Sequence, residues 1–87
     1  MKKVLITGAS RGIGYETAKF FAKKNHALFL IARDLKKLKK IKDEIKEINS
    51  ELPCQIMSFD LLEIDKIQSL VSNIKNKFGF IDIIIHN

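Results

Sequence analysis

Strand and helix signals alternate strictly along these 87 residues, and that alternation predicts an α/β fold built on a parallel, doubly wound sheet. Three observations carry the prediction. Short β-branched-rich apolar runs recur along the chain. The segments between them repeat apolar residues at helical spacing. A glycine-rich turn, Thr7-Gly8-Ala9-Ser10-Arg11-Gly12-Ile13-Gly14, joins the first run to the first helical segment.

Lys3–Thr7 reads as the first strand, closed by Gly8, and Ile13–Lys24 as the first helix. Asn25 then stands where a helix end wants a left-handed residue. Ala27–Ala32 reads as the second strand. Asp34 is placed to cap a helix over Leu35–Asn49, whose Leu35, Leu38, Ile41, Ile45 and Ile48 form one apolar stripe. Pro53 separates that helix from a third strand, Gln55–Phe59. Glu63–Phe78 reads as the third helix, with Ile64, Ile67, Leu70, Val71, Ile74 and Phe78 on one face and Gly79 at its end. Ile81–His86 is the fourth strand. The strands are apolar throughout, as in a sheet covered on both faces. Right-handed crossovers give the strand order 3-2-1-4, with a ligand site at the carboxyl ends of the strands, between strands 1 and 4.

Length and composition narrow the functional classes. Eighty-seven residues with 46% apolar side chains make one small folded domain, with no linker or low-complexity stretch to mark a second. The lone Cys54 has no internal disulfide partner, which fits a reducing cytoplasm. The apolar run after Met1-Lys2-Lys3 is too short for a signal peptide, and no stretch is long enough to span a membrane. The net charge of +6 raises a nucleic-acid reading. Lys36, Lys37, Lys39, Lys40, Lys42 and Lys46 all lie off the apolar stripe of the second helix, interspersed with Asp43, Glu44 and Glu47. Glu44 is placed to pair with neighbouring lysines. With little arginine and few aromatics, a solvated helix face is the better account.

The glycine turn suits a dinucleotide pyrophosphate. Gly8 allows a tight exit from the strand, Gly12 allows close approach of phosphate oxygens, and Gly14 allows the helix to lie close to the sheet. The helix start offers unpaired N–H groups, to which Ser10 and the backbone near Ile13 add hydrogen bonds. An acidic side chain at the end of the second strand selects NAD, and a basic one accommodates the 2′-phosphate of NADP. Arg33 stands there, and Arg11 in the turn can approach the same phosphate; these are the two arginines of the chain. Asp34 can serve a ribose instead, although it is better placed as a helix cap, so the balance favours NADP(H). Asp60, after the third strand, can accept from the adenine amino group or cap the third helix. His86 has no companion cluster for a metal and reads as a hydrogen-bonded strand-end residue, and His26, at the opposite end of the sheet, as structural.

Taken together, these residues resemble the N-terminal, cofactor-binding part of a single-domain short-chain dehydrogenase/reductase, over essentially the whole chain. Thr7 to Gly14 is similar to that family's T-G-x-x-x-G-x-G motif. Ala32 occupies the family's acidic NAD-selecting position, and Arg33 and Arg11 match the basic residues of NADP-preferring members. Asp60, with Leu61 beside it, matches the adenine-contacting aspartate. Ile84-Ile85-His86-Asn87 resembles the start of the N-N-A-G motif, with His86 in place of the first asparagine, which puts Asn87 at the cofactor.

The resemblance implies a Rossmann-like, NADP(H)-binding portion over residues 1–87 of an oxidoreductase that moves hydride between nicotinamide and a small carbonyl or alcohol substrate. The family's catalytic serine, tyrosine and lysine have no counterpart here. Tyr15 and Lys19 spell Y-x-x-x-K, but on the pyrophosphate helix, away from the nicotinamide. The chain alone is therefore expected to be inactive, a truncated doubly wound fold. A non-catalytic dinucleotide-binding or interaction module is the alternative, with a basic nucleic-acid binder behind it. A fourth strand carrying Ile81, Ile83, Ile84 and Ile85 at the sheet edge is expected to promote self-association.

Overall fold

The computed structural model of the protein describes residues 1–87 apart from Arg11 and Leu61 and the side chain of Ile64. Four parallel strands, β1 (Lys3–Thr7), β2 (Ala27–Ala32), β3 (Cys54–Ser58) and β4 (Ile83–His86), form one sheet in the order β3-β2-β1-β4. Helices α1 (Gly12–Lys23) and α2 (Leu35–Ile48) cover one face, and α3 (Ile67–Phe78) covers the other. Topology and strand order are those the alternating pattern predicts.

Successive strand side chains point to opposite faces, so β1 and β2 feed two separate cores. Val4, Ile6, Leu28 and Leu30 meet Ala18 and Ala22 of α1 and Leu38, Ile41 and Ile45 of α2. Leu5, Phe29 and Ile31 meet Leu70, Ile74 and Phe78 of α3, where the Phe29 and Phe78 rings stand edge to face at 5.4 Å. Each fully buried large side chain contributes about 1.5–3 kcal/mol. The predicted stripes are right in phase but too long. Leu35 and Ile48 at the ends of α2, and Ile67 and Val71 on α3, remain exposed.

Coverage on both faces holds for the two inner strands only. All six residues of β2 are buried, whereas β3 exposes Gln55 and Ser58 and β4 leaves Ile84 66% exposed. Two boundaries shift for identifiable reasons. The Lys3 backbone N–H donates to the Asp82 carboxylate (2.8 Å) while the Asp82 N–H donates to the Lys3 carbonyl (2.9 Å), so β4 joins the ladder at Ile83 rather than Ile81. The third helix is not continuous from Glu63. A 3₁₀ turn over Ile64–Lys66 precedes α3, with Glu63 and Lys66 paired at 2.9 Å across its i,i+3 spacing.

The end signals hold. Asn25 adopts φ 65° and Gly79 φ 79°, and Asp34 caps α2 by accepting from the Lys37 N–H at 3.2 Å. Among the described residues Glu44 makes no ion pair with a lysine; its carboxylate accepts from the Tyr15 hydroxyl at 3.1 Å, tying α2 to α1. Among the described residues no helix is long and apolar enough to cross a membrane.

Cys54 is buried in the core under α2. Burial pushes its thiol from an ordinary value of 9.0 up to about 11, with Lys42 and Lys46 opposing the shift. The folded chain therefore keeps this proton after the unfolded chain has released it. The stabilisation is complete below pH ~9 and is lost as pH rises towards ~11, a fall of about 2–3 kcal/mol. Denaturant unfolding across that window is expected to show this fall in the native chain and a flatter profile in Cys54→Ala.

Candidate functional site

The carboxyl ends of the strands converge on a cleft of about 670 Å³. Gly8 and Ser10 from the β1–α1 turn, Ala32 and Arg33 at the end of β2, Asp34 and Lys37 at the start of α2, Phe59 and Asp60 after β3, and Asn87 after β4 all line it. Parallel strands bring these segments together because every strand ends on the same side of the sheet.

The floor is set by Thr7. This side chain is buried, and its hydroxyl accepts from the Asn87 backbone N–H (3.2 Å) and shares a 2.8 Å hydrogen bond with His86 Nδ1. The Asn87 side chain then donates to the Gly8 carbonyl at 3.2 Å. His26, at the other end of the sheet, accepts from the Lys2 N–H at Nδ1 and is structural as expected.

The three glycines of the turn meet different constraints. Gly8 has φ 64°, and a Cβ there would stand 3.0 Å from the Asn87 carbonyl oxygen. At Gly14 a Cβ would collide with the Gly8 carbonyl oxygen and lie 2.8 Å from Asn87 Nδ2 and 3.0 Å from the Ala9 Cα. Gly14 thus lets α1 close onto the turn and the end of β4. Gly12 is different: it has φ 57°, yet among the described residues nothing beyond its own turn lies within 4 Å of its Cβ position. Its backbone faces open space. Gly12 and Ile13 border a separate groove along α1, and Gly14 is buried beneath, so the cleft itself gathers Gly8, Ser10, Arg33, Asp60 and Asn87. Arg11 and Leu61 lie outside the described residues.

At the β2 edge, Ala32 lines the cleft with a small, buried side chain. Arg33 is exposed beside it, its carbonyl fixed by the Ser58 hydroxyl at 2.8 Å. Asp34 turns its carboxylate to its own helix. Asp60 caps neither α3 nor the 3₁₀ turn; its Oδ1 accepts from the Leu62 N–H at 3.0 Å in a local turn, while α3 begins at Ile67 with Lys66 as its cap. Oδ2 of Asp60 has no hydrogen bond among the described residues.

Tyr15 and Lys19 line none of this cleft. The Lys19 ammonium sits 3.5 Å from the Tyr15 hydroxyl, whose hydrogen bond and charge hold its pKa above the ordinary lysine value, with Glu16 and Glu44 reinforcing the shift. Sequence reasoning missed Lys37, grouped with the solvated lysines of α2, and the anchoring role of the Thr7 hydroxyl. The position of Lys37 one helical turn from Arg33 was the available signal for the first.

The glycine geometry gives a rank order. Gly14→Ala is expected to destabilise the fold most, by about 2–3 kcal/mol of overpacking. Gly12→Ala meets only the left-handed backbone penalty of about 1 kcal/mol. Urea midpoints for the two variants measure the difference directly.

The chain matches the family model described as short chain dehydrogenase over residues 2–87. It is 38% identical to a (+)-neomenthol dehydrogenase of Capsicum annuum over 95% of this chain and 27% of that relative. Among solved structures it is similar to the L-sorbose reductase of Gluconobacter frateurii complexed with NADPH and L-sorbose, with a TM-score of 0.88, 29% identity and coverage of 99% of this chain and 32% of that one. The alcohol dehydrogenase of Thermococcus sibiricus complexed with 5-hydroxy-NADP gives a TM-score of 0.87 and 31% identity, over 97% of this chain and 35% of that one. The chain therefore spans roughly a quarter to a third of the length of each of these proteins. With its Rossmann-like sheet, its glycine turn and a family match across nearly every residue, the chain belongs to the short-chain dehydrogenase family.

Proposed function

We propose that residues 1–87 form the NADP(H)-binding part of a short-chain oxidoreductase that transfers hydride between nicotinamide and a small carbonyl or alcohol substrate. The observation that carries this reading is the cleft in which Gly8 and Ser10 of the glycine turn, Arg33 and Asp60 converge beside the small, uncharged side chain of Ala32. The open backbone at Gly12 fits the same group, because among the described residues nothing beyond its own turn occupies the space its missing side chain leaves.

In this reading Ser10 and the N–H groups of Gly12 and Ile13 hold the pyrophosphate at the start of α1, with Gly8 and Gly14 shaping the turn. Arg33, joined by Arg11, holds the 2′-phosphate through its planar donor fork. The free oxygen of Asp60 accepts from the adenine amino group, with Leu61 alongside. Asn87 borders the cofactor where β4 ends. Bound NADPH supplies a hydride; the residues of this chain bind and orient it and hold no proton-transfer group of the family's catalytic set. The chain by itself therefore binds without turning over. NADP(H) chemistry and a buried reduced thiol both suit a cytoplasmic setting. The two similar structures that carry NADPH and an NADP analogue support a nicotinamide dinucleotide as ligand class.

A second reading, a non-catalytic module that self-associates, is favoured by one feature. β4 is a sheet edge whose Ile84 is 66% exposed, close in sequence to Phe80 at 92%.

Titration calorimetry is expected to give NADPH a dissociation constant at least about tenfold below that of NADH, equivalent to about 1.4 kcal/mol. Asp60→Ala is expected to weaken both dinucleotides equally. Equal affinity for NADPH and NADH in the native chain would remove the NADP(H) preference. Sedimentation velocity across a concentration series tests the edge: Ile84→Lys is expected to abolish a dimer that the native chain forms.

A further inference from the structure

The sequence places Lys37 among the lysines of a solvated helix face, but the fold separates it from them. It is the third residue of α2, and it lines the cleft together with Arg33, whereas Lys36, beside it in sequence, does not. Its position is fixed through its backbone, because its N–H donates to the Asp34 carboxylate at 3.2 Å. That hydrogen bond also turns Asp34 towards the helix. The described cations that line the cleft are Arg33 and Lys37; of its two carboxylates, Asp34 is engaged by its cap and Asp60 accepts from the Leu62 N–H after β3.

We propose that Lys37 is a specificity-determining residue that adds its charge to that of Arg33 for a phosphate monoester, and so discriminates NADPH from NADH. The proposal rests on the nicotinamide reading above and adds a residue to it. A phosphate monoester near neutral pH carries between one and two negative charges and three oxygens that each accept more than one hydrogen bond, so a further donor still finds an acceptor beside the guanidinium forks. Lysine suits the remaining oxygens, since its ammonium is a mobile point charge on a flexible stem. A ribose hydroxyl, neutral and able to bond with water as readily, gains little from the same ammonium. Lys37 therefore acts on the difference between the two cofactors and not on their shared parts.

The test measures dissociation constants of NADPH and NADH for the native chain, Lys37→Met, Lys37→Arg and Lys36→Met. Methionine keeps the helix propensity and the backbone cap while removing the charge. Lys37→Met is expected to weaken NADPH about tenfold, the scale of one charge-assisted hydrogen bond, and to leave NADH within about twofold. Lys37→Arg is expected to restore most of the NADPH affinity, and Lys36→Met, with the same loss of net charge, to change neither cofactor. An equal loss for both cofactors in Lys37→Met, no loss for either, or the same loss in Lys36→Met would each overturn the proposal. A native chain that binds neither dinucleotide would overturn the nicotinamide reading itself, a failure visible before any variant is compared.

Discussion

Much of this molecule depends on one close approach, that of the first residues of α1 to the Gly8 carbonyl and the Asn87 side chain. Here the end of the first strand, the start of the first helix and the end of the last strand meet with no room for a methyl group at Gly14. The Thr7 hydroxyl, joined to both His86 and Asn87, anchors the same point from below. Moving any one of the three segments would displace the other two. The turn proposed to carry the pyrophosphate is thereby held by packing and hydrogen bonds on rigid elements, which is how a binding site acquires a fixed shape before its ligand arrives.

The two cores contribute differently to that rigidity. The α1/α2 side packs Leu38, Ile41 and Ile45 of α2 and the small Ala18 and Ala22 of α1 against all four strands. The α3 side is smaller and is centred on Phe29 and Phe78, with Ile67, Val71 and Ile84 left in contact with solvent. The cleft lies beside the better packed side, with α2 supplying both its cap and its charge. Electrostatics at its rim follow from the same helix start. Asp34 satisfies an otherwise unpaired N–H of α2, and in doing so is withdrawn from the ligand space.

Most of the architecture was legible in the sequence because each signal is local. Period-two and period-3.6 apolar patterns, Asn25, Asp34 and Gly79 report on backbone and neighbouring turns, and all three punctuation residues behave as read. The differences arise where a distant residue intervenes. Asp82 pairs with the Lys3 backbone and delays β4, Tyr15 captures Glu44 from the lysines, and Asp60 spends its carboxylate on a local turn rather than on a helix cap. The site shows the same division. Its glycines and Arg33 are visible in a linear motif, whereas Lys37 joins the cleft only once a helix has turned it there. Helical periodicity sorts residues into buried and exposed and cannot separate an exposed lysine facing water from one facing a ligand.

The strand order has a consequence for how the molecule comes together. The first strand made occupies an inner position, and its two neighbours arrive at very different times: β2 follows after one helix, whereas Thr7 and His86 are 79 residues apart. Closing that longer loop adds only a modest entropic cost, since each doubling of length adds about 0.6 kcal/mol. Vectorial synthesis, however, fixes the sequence of events. β1, β2 and β3 with α1 and α2 already share a core, so a three-stranded unit can assemble while one edge of β1 still awaits its partner. Of these 87 residues, Asn87 is the last to emerge, so the wall it adds beside Gly8 comes after the three-stranded unit has its parts.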